Sequence, residues 1–162
     1  MTDGMEVTEY EKDCLHESGH AVIAVLCGLT FKEAYAKDGR GYVDITFPDY
    51  QKGILSAKCA DKCLTSPYIY AWYAGELAVE LKYGVEHYKS SEEMSSVECF
   101  AMKTKGVNGT TRNAFMDVCR DYAKKLVTEH LEIIQFVAER LEKNSGLLTR
   151  EQVEDFVTKL LR

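Results

Sequence analysis

The sequence predicts a mainly helical protein that forms a single domain over residues 1–162 and contains one small β-hairpin. Three observations lead to this prediction. A chain of 162 residues has the size of one ordinary domain. Apolar residues recur at helical spacing along most of the chain. Only one region pairs two strand-like runs with the glycine-containing turn that a hairpin needs.

The first helix and the hairpin are marked by local signals. Thr8 and Glu11 have the spacing of a capping box, in which each side chain satisfies a backbone donor of the other residue. Apolar residues follow at helical spacing, and Gly28 is a typical C-terminal stop. The hairpin is predicted next, with strands over 31–36 and 42–47.

The middle of the chain is predicted to be helical. Residues 51–64 carry a modest apolar stripe at helical spacing. Ser66 is expected to cap, and Pro67 to open, a helix over 68–82. Because that helix is apolar on most sides, we expect it to lie at the centre of the domain. A Ser/Glu-rich stretch, 89–96, is then expected to lead into the next helix.

Three amphipathic helices are predicted in the last third of the chain. Two of them cover about 111–128 and 129–143, and the pattern leaves their junction open. The Asn-Ser-Gly run at 144–146 is a stop signal. Thr149 and Gln152 then form a second capping box, which opens the last helix.

The composition limits the classes of protein to be considered. Hydrophobic residues make up 46% and charged residues 28%, the balance of a globular domain. The net charge of −6 argues against nucleic-acid binding, because an acidic surface repels phosphate backbones. No apolar run approaches the roughly 18–20 residues of a membrane span, and no export leader precedes the six cysteines. We therefore expect a cytoplasmic protein with neither a membrane span nor a disulfide framework.

The segment that predicts chemistry is HESGH, residues 16–20, an HExxH motif inside the first helix. The i, i+4 spacing places the imidazoles of His16 and His20 on one helical face, with room for one ion between them. Glu17 can then act as general base toward a water at the open position of a bound Zn²⁺. The alternative is a chance match on a solvated helix. The apolar surroundings argue against it, since two buried histidines need partners.

A catalytic zinc takes three protein ligands and keeps one open position. The metzincin extension of the motif is absent, because Ile23 stands where that extension needs glycine. A ligand at thermolysin-like distance on the next helix is also excluded, because the hairpin intervenes. The residue types leave five candidates open: Glu76, Glu80, His87, Glu92 and Glu93.

Three segments resemble, in the same order, those of a known family. Residues 16–22 read HESGHAV, residues 74–84 read AGELAVELKYG and residues 90–94 read SSEEM. They are similar to the HEAGHAV, AGRAAEELxFG and GASNDL-type segments of the FtsH family, which are membrane AAA proteases with a fused zinc peptidase domain. Residues 141–153 also resemble the last two helices of that family. The resemblance covers nearly the whole chain and implies a helical, zincin-like peptidase fold.

The resemblance also implies a set of site residues. Glu93 stands in the register of the aspartate that is the family's third zinc ligand, and its side chain is one methylene longer. Glu80 matches a family glutamate and is either a partner that orients a histidine or part of a solvated helix face. Glu76 stands where the family has arginine.

The function implied is that of a zinc metalloendopeptidase. The chain contains neither a GxxxxGK[ST] loop nor an ATPase module or membrane anchor, so we expect it to cut unfolded or flexible polypeptides. A separate ATPase and a homo-oligomeric assembly are the partners that the resemblance leaves open. An extended substrate is expected to pair with the hairpin edge at Tyr42, Val43 and Asp44. The alternative is an inactive zinc-binding or protein-interaction module with the same fold. Glu17 favours the enzyme, because such a module needs no general base.

Overall fold

A computed structural model describes residues 6–46, 62–86 and 91–162 of the chain. The described residues form six α-helices and a three-stranded antiparallel sheet, which confirms the predicted, mainly helical fold with a small β element. The helices are α1 (Glu9–Leu26), α2 (Lys62–Tyr83), α3 (Ser91–Lys103), α4 (Arg112–Glu129), α5 (Leu131–Lys143) and α6 (Arg150–Leu160). The strands are β1 (Thr30–Lys37), β2 (Arg40–Thr46) and β3 (Leu147–Thr149).

Helix α1 lies at the centre of the fold. Both predicted end signals are confirmed, since Thr8 and Glu11 form the capping box and Gly28 takes a positive φ of 69° just after the helix. Every residue from Cys14 to Ala24 is buried. The surrounding elements are α2, β1, β2, α5 and α6, all of which contact α1. The HExxH motif therefore lies inside the domain rather than on a solvated helix.

The sheet contains the predicted hairpin and one strand that was not predicted. Asp38 and Gly39 form the tight turn between β1 and β2, and both have positive φ, as the commonest two-residue hairpin turns require. The third strand, β3, pairs antiparallel with β1, so the strand order is β2-β1-β3. A three-residue strand has too few alternating positions to be recognised from the sequence. Among the described strands, β2 lies at one edge of this sheet.

The predicted start of the helix over 68–82 is wrong. Helix α2 begins at Lys62 and continues through Pro67, which lies inside it rather than at its first position. Proline there removes one backbone hydrogen bond. The turn before the proline is nevertheless held in place, because Thr65 and Ser66 are buried and Thr65 accepts a 2.7 Å hydrogen bond from the hydroxyl of Thr104. Tertiary packing thus overrides the local signal.

Other boundaries differ less. Helix α3 already begins at Ser91, so much of the Ser/Glu-rich stretch is helical rather than a lead-in. Helices α4 and α5 meet at His130, which settles the junction that the sequence left open. Most of the predicted 51–64 helix lies outside the described residues. None of the described helices combines the length and apolar character that crossing a membrane requires.

Candidate metal centre

Three of the predicted site residues lie together between α1 and α3. His16 Nε2 and His20 Nε2 are 2.9 Å apart, as expected for residues one helical turn apart on α1. Glu93, in the first turn of α3, places its Oε1 at 2.9 Å from His16 Nε2 and 3.2 Å from His20 Nε2. Within the described part of the chain, these residues form the one group of His, Cys, Asp or Glu side chains arranged to hold a metal ion.

The tautomer of His20 is set by the neighbouring helix. Its Nδ1 lies 2.7 Å from the backbone carbonyl oxygen of Ala71 on α2, and a carbonyl can only accept a hydrogen bond. Nδ1 must therefore carry a proton. In the neutral ring, the lone pair is then on Nε2, which faces Glu93 and His16. This is the usual arrangement of a metal-binding histidine, whose second nitrogen donates to a carbonyl or carboxylate.

The arrangement of the three side chains fits a zinc ion. Four ligands at about 2.0–2.1 Å from a tetrahedral zinc lie about 3.3 Å from one another. The three donor atoms are separated by 2.9–3.2 Å, close to that spacing. Two imidazole nitrogens and one carboxylate oxygen are also a ligand set of known catalytic zinc sites. The residues present therefore fit Zn²⁺.

The electrostatics of the cluster favour an anionic Glu93. Burial alone raises the pKa of its carboxyl group, but hydrogen bonds and charge interactions with His16 and His20 outweigh this effect. The pKa of Glu93 therefore lies well below its ordinary value, and the group is a carboxylate. For His20, burial lowers the pKa, while the hydrogen bond to Glu93 and the charges of Glu17 and Glu93 raise it more. The pocket thus favours a positive charge between the three side chains.

Glu17 is buried beside this cluster without belonging to it. Its side chain follows His16 on α1 and turns toward β2, where it lies against Gly41. Its Oε2 is buried and has no hydrogen-bond partner among the described residues. The pKa of Glu17 is raised to about 7. Burial is the largest cause, the charge of His20 opposes it, and the charges of Glu93 and Asp13 add to it. A carboxyl group with a pKa near neutrality is suited to accept and return a proton.

Two glycines allow the helices to meet closely at the site. A Cβ at Gly75 of α2 would lie 2.5 Å from His20 Nε2 and 2.8 Å from His16 Nε2. A Cβ at Gly19 of α1 would lie 2.5 Å from the carbonyl oxygen of Ala74. Real Cβ atoms essentially never come this close to other atoms. The absence of side chains at both positions therefore lets α2 cover the two imidazoles.

No protein-family model matches the chain. A search of curated proteins also found no match. The choice of function therefore depends on the chemistry of the cluster, on the neighbouring carboxylate and on the strand beside them.

The other third-ligand candidates within the described residues lie elsewhere. Glu92 is exposed, although it neighbours Glu93. Glu80 Oε2 accepts a 3.0 Å hydrogen bond from Arg120 of α4, and Glu76 also contacts this arginine. The histidine His87 lies outside the described residues. The carbonyl of Ala71 orients His20, while the Glu80 carboxylate is paired with Arg120.

The predicted substrate edge lies on β2. The side chains of Tyr42 and Asp44 are exposed, and the Tyr42 hydroxyl donates a 2.6 Å hydrogen bond to Glu33. Val43 is buried, so its side chain packs inside the domain. Pairing of a peptide with this edge would therefore use the β2 backbone and the exposed side chains at 42 and 44.

Sequence reasoning missed three contributors to the site. These are the backbone carbonyl of Ala71 and the glycines Gly41 and Gly75. A glycine inside a helix or strand often marks a close approach of another group, so the two glycines did carry a weak signal. Nothing in the sequence could indicate which carbonyl orients His20, because Ala71 is 51 residues away.

Proposed function

We propose that the protein is a zinc-dependent metallopeptidase that hydrolyses peptide bonds in unfolded or flexible polypeptides. The observation that carries this proposal is the convergence of His16, His20 and Glu93 beside the buried carboxylate of Glu17. Three ligands plus a neighbouring general base form the arrangement of HExxH peptidases. Structural zinc sites, in contrast, usually use four protein ligands.

Each residue has a defined task under this proposal. His16, His20 and Glu93 would hold Zn²⁺, which when bound polarises a carbonyl group and makes a nearby water more acidic. Glu17 accepts the proton of the attacking water and returns it to the departing amine nitrogen. In the metal-free protein, burial raises the pKa of Glu17 toward neutrality, which suits a group that both accepts and returns a proton. Because Glu17 is only 6% exposed, bulk water does not compete for its carboxylate.

The position of β2 supports a polypeptide substrate. In the part of the chain that the structure describes, this strand lies at the edge of the sheet and contacts α1, the helix that carries Glu17 and both histidines. An extended peptide can add to such an edge through backbone hydrogen bonds, which depend little on side-chain identity. A folded segment cannot, because its backbone groups are already paired. Unfolded or flexible chains are therefore the substrates proposed.

The proposal is tested with Glu17→Gln, which removes the base and preserves the size of the side chain. We expect zinc stoichiometry to stay unchanged, while hydrolysis of casein or an unfolded peptide falls at least about 100-fold, the usual scale of general-base catalysis. Glu92→Gln is the matched control, because Glu92 is an exposed glutamate near the same site, and it should keep full activity. Equal turnover by wild type and Glu17→Gln would refute the mechanism. A zinc-loaded wild type that cuts no unfolded substrate would favour the inactive binding module.

A further inference from the structure

Gly41 of β2 lies directly against the side chain of Glu17. A Cβ built on Gly41 would be 2.8 Å from both Cγ and Cδ of Glu17 and closer still to its Oε1. Such distances are too short for any side chain to be accommodated without movement. The nearest atoms all belong to Glu17. The contact therefore joins the proposed substrate strand to the proposed general base.

The backbone of Gly41 does not itself require glycine. Its φ lies outside the left-handed region, in contrast to Gly39 in the adjoining turn. Gly41 pairs with Ala36 of β1 as an ordinary ladder residue. What glycine provides at this position is therefore the space that its missing side chain leaves.

That space lies on the inward face of β2 and is occupied by Glu17. Side chains alternate along a strand, so position 41 faces the same side as Val43, which is buried. Gly41 itself is exposed, and it is the inward position of β2 nearest the turn. A larger residue would push Glu17 aside. The gap at Gly41 thus gives the carboxylate its position.

We propose that Gly41 is a positioning residue, whose missing side chain lets the Glu17 carboxylate lie against β2, in place to act on a peptide bound along that strand. This inference rests on the proposed peptidase function. Any side chain at position 41 displaces the base while leaving the three metal-binding side chains untouched. The expected signature is a loss in kcat without a loss of metal or of substrate binding.

The first test compares wild type with Gly41→Ala. We expect kcat for an unfolded peptide to fall about 10-fold or more, because displacement of a catalytic group by about 1 Å can cost 100-fold. Zinc content, KM and melting temperature should stay close to those of the wild type. Gly109→Ala is the matched control, since a Cβ at Gly109 meets no atom within 4 Å, and it should change none of these quantities. Unchanged kcat, or a loss that appears in KM or zinc content instead, would overturn the inference.

The second test shortens the base to relieve the contact. Glu17→Asp alone should reduce kcat strongly. Adding Gly41→Ala to Glu17→Asp should then lower kcat by clearly less than Gly41→Ala lowers it in the wild type, because the shorter side chain leaves room for the new methyl group. Additive losses would contradict direct contact between the two residues. If Gly41→Ala fails to fold, the double variant should fold, and its failure would also refute the inference.

A crystal structure of Gly41→Ala supplies a readout that does not depend on activity. We expect the Glu17 carboxylate to be displaced from β2, with the His16, His20 and Glu93 side chains unmoved. An unmoved Glu17 would refute the inference, whatever the kinetics. If the wild type hydrolyses no peptide, the proposed function fails, while this structure still decides whether Gly41 positions Glu17.

Discussion

Glu93 completes the candidate centre, because its carboxylate on α3 lies within hydrogen-bond distance of both histidines on α1. Without it, two neutral imidazoles would have to hold a divalent ion alone. We therefore expect Glu93→Ala to weaken zinc binding by at least about 100-fold, more than the loss of an outer-shell partner usually costs. Glu93→Asp should retain part of the affinity, because aspartate keeps the carboxylate on a shorter arm. The measurement is zinc affinity by competition with a chromogenic chelator.

Two nearby glutamates serve as controls for this prediction. Glu92→Ala should do little, because Glu92 is exposed beside the cluster. Glu80→Ala should also leave zinc affinity nearly unchanged, because its carboxylate binds Arg120. If Glu93→Ala still bound zinc as the wild type does, while Glu92→Ala or Glu80→Ala lost zinc binding, the ligand assignment would be wrong.

Single residues differ in how far the sequence could predict them. His16, Glu17 and His20 were predictable because their spacing on one helix already fixes their geometry. Residue types alone left five candidates for the third ligand, and the FtsH-like register was needed to choose Glu93. Gly41 was not recognised as part of the site, because its importance comes from contact with Glu17, on a different element.

At the scale of elements, the contact between α1 and α2 determines how tightly the imidazoles are covered. Gly19 lies at this contact, where an added Cβ would be 3.0 Å from the carbonyl carbon of Ala74 and 3.1 Å from the Cβ of Ala78. The opposing atoms are mostly backbone, which cannot rotate away. We expect Gly19→Ala to lower the free energy of unfolding by about 1–3 kcal/mol, as overpacking commonly does.

Urea unfolding of the metal-free protein checks this prediction without a contribution from bound zinc. Gly109→Ala again serves as the control, because it adds a methyl group in open space. Alanine is ordinarily favoured over glycine inside a helix by roughly 0.5–1 kcal/mol. A Gly19→Ala variant as stable as the wild type, or more stable, would therefore contradict the close approach of α1 and α2.

Elements with strong local signals were predicted well, and elements fixed by tertiary contacts were not. Both capping boxes form as the sequence indicates, because each depends on residues three apart. The start of α2 was misplaced, since Pro67 marks a helix start locally but the buried turn before it continues the helix. Strand β3 exists through its pairing with β1, more than 100 residues earlier in the chain. No local pattern could contain that information.

At the scale of the whole molecule, the candidate site is assembled from four elements that are distant in sequence. Helix α1 supplies both histidines and Glu17, α3 supplies Glu93, α2 covers the imidazoles and β2 lies against Glu17. The candidate metal-binding side chains and Glu17 thus depend on the same packed core. We infer that the site is preformed, because buried side chains on packed elements have little freedom to rearrange.

A preformed site beside a sheet edge should discriminate by the state of the substrate rather than by its sequence. A peptide that adds to β2 must be extended, with free backbone donors and acceptors. A protein stable by about 5 kcal/mol or more leaves only about one molecule in several thousand globally unfolded. We therefore expect the 162-residue chain alone to cut an unfolded protein at least about 100-fold faster than the same protein in its folded form.

The measurement uses one substrate protein in two forms, with its disulfides intact or after reduction and alkylation, which keeps it unfolded. Initial rates of cleavage are compared at equal concentrations, and Glu17→Gln is run on the unfolded form to show that the cleavage comes from this site. Cuts in the folded form should fall in terminal tails and exposed loops, where a short extended segment can reach β2 without global unfolding. Comparable rates for the two forms, with cuts inside buried elements of the folded one, would contradict recognition by strand addition. The substrate would then have to bind somewhere other than the β2 edge.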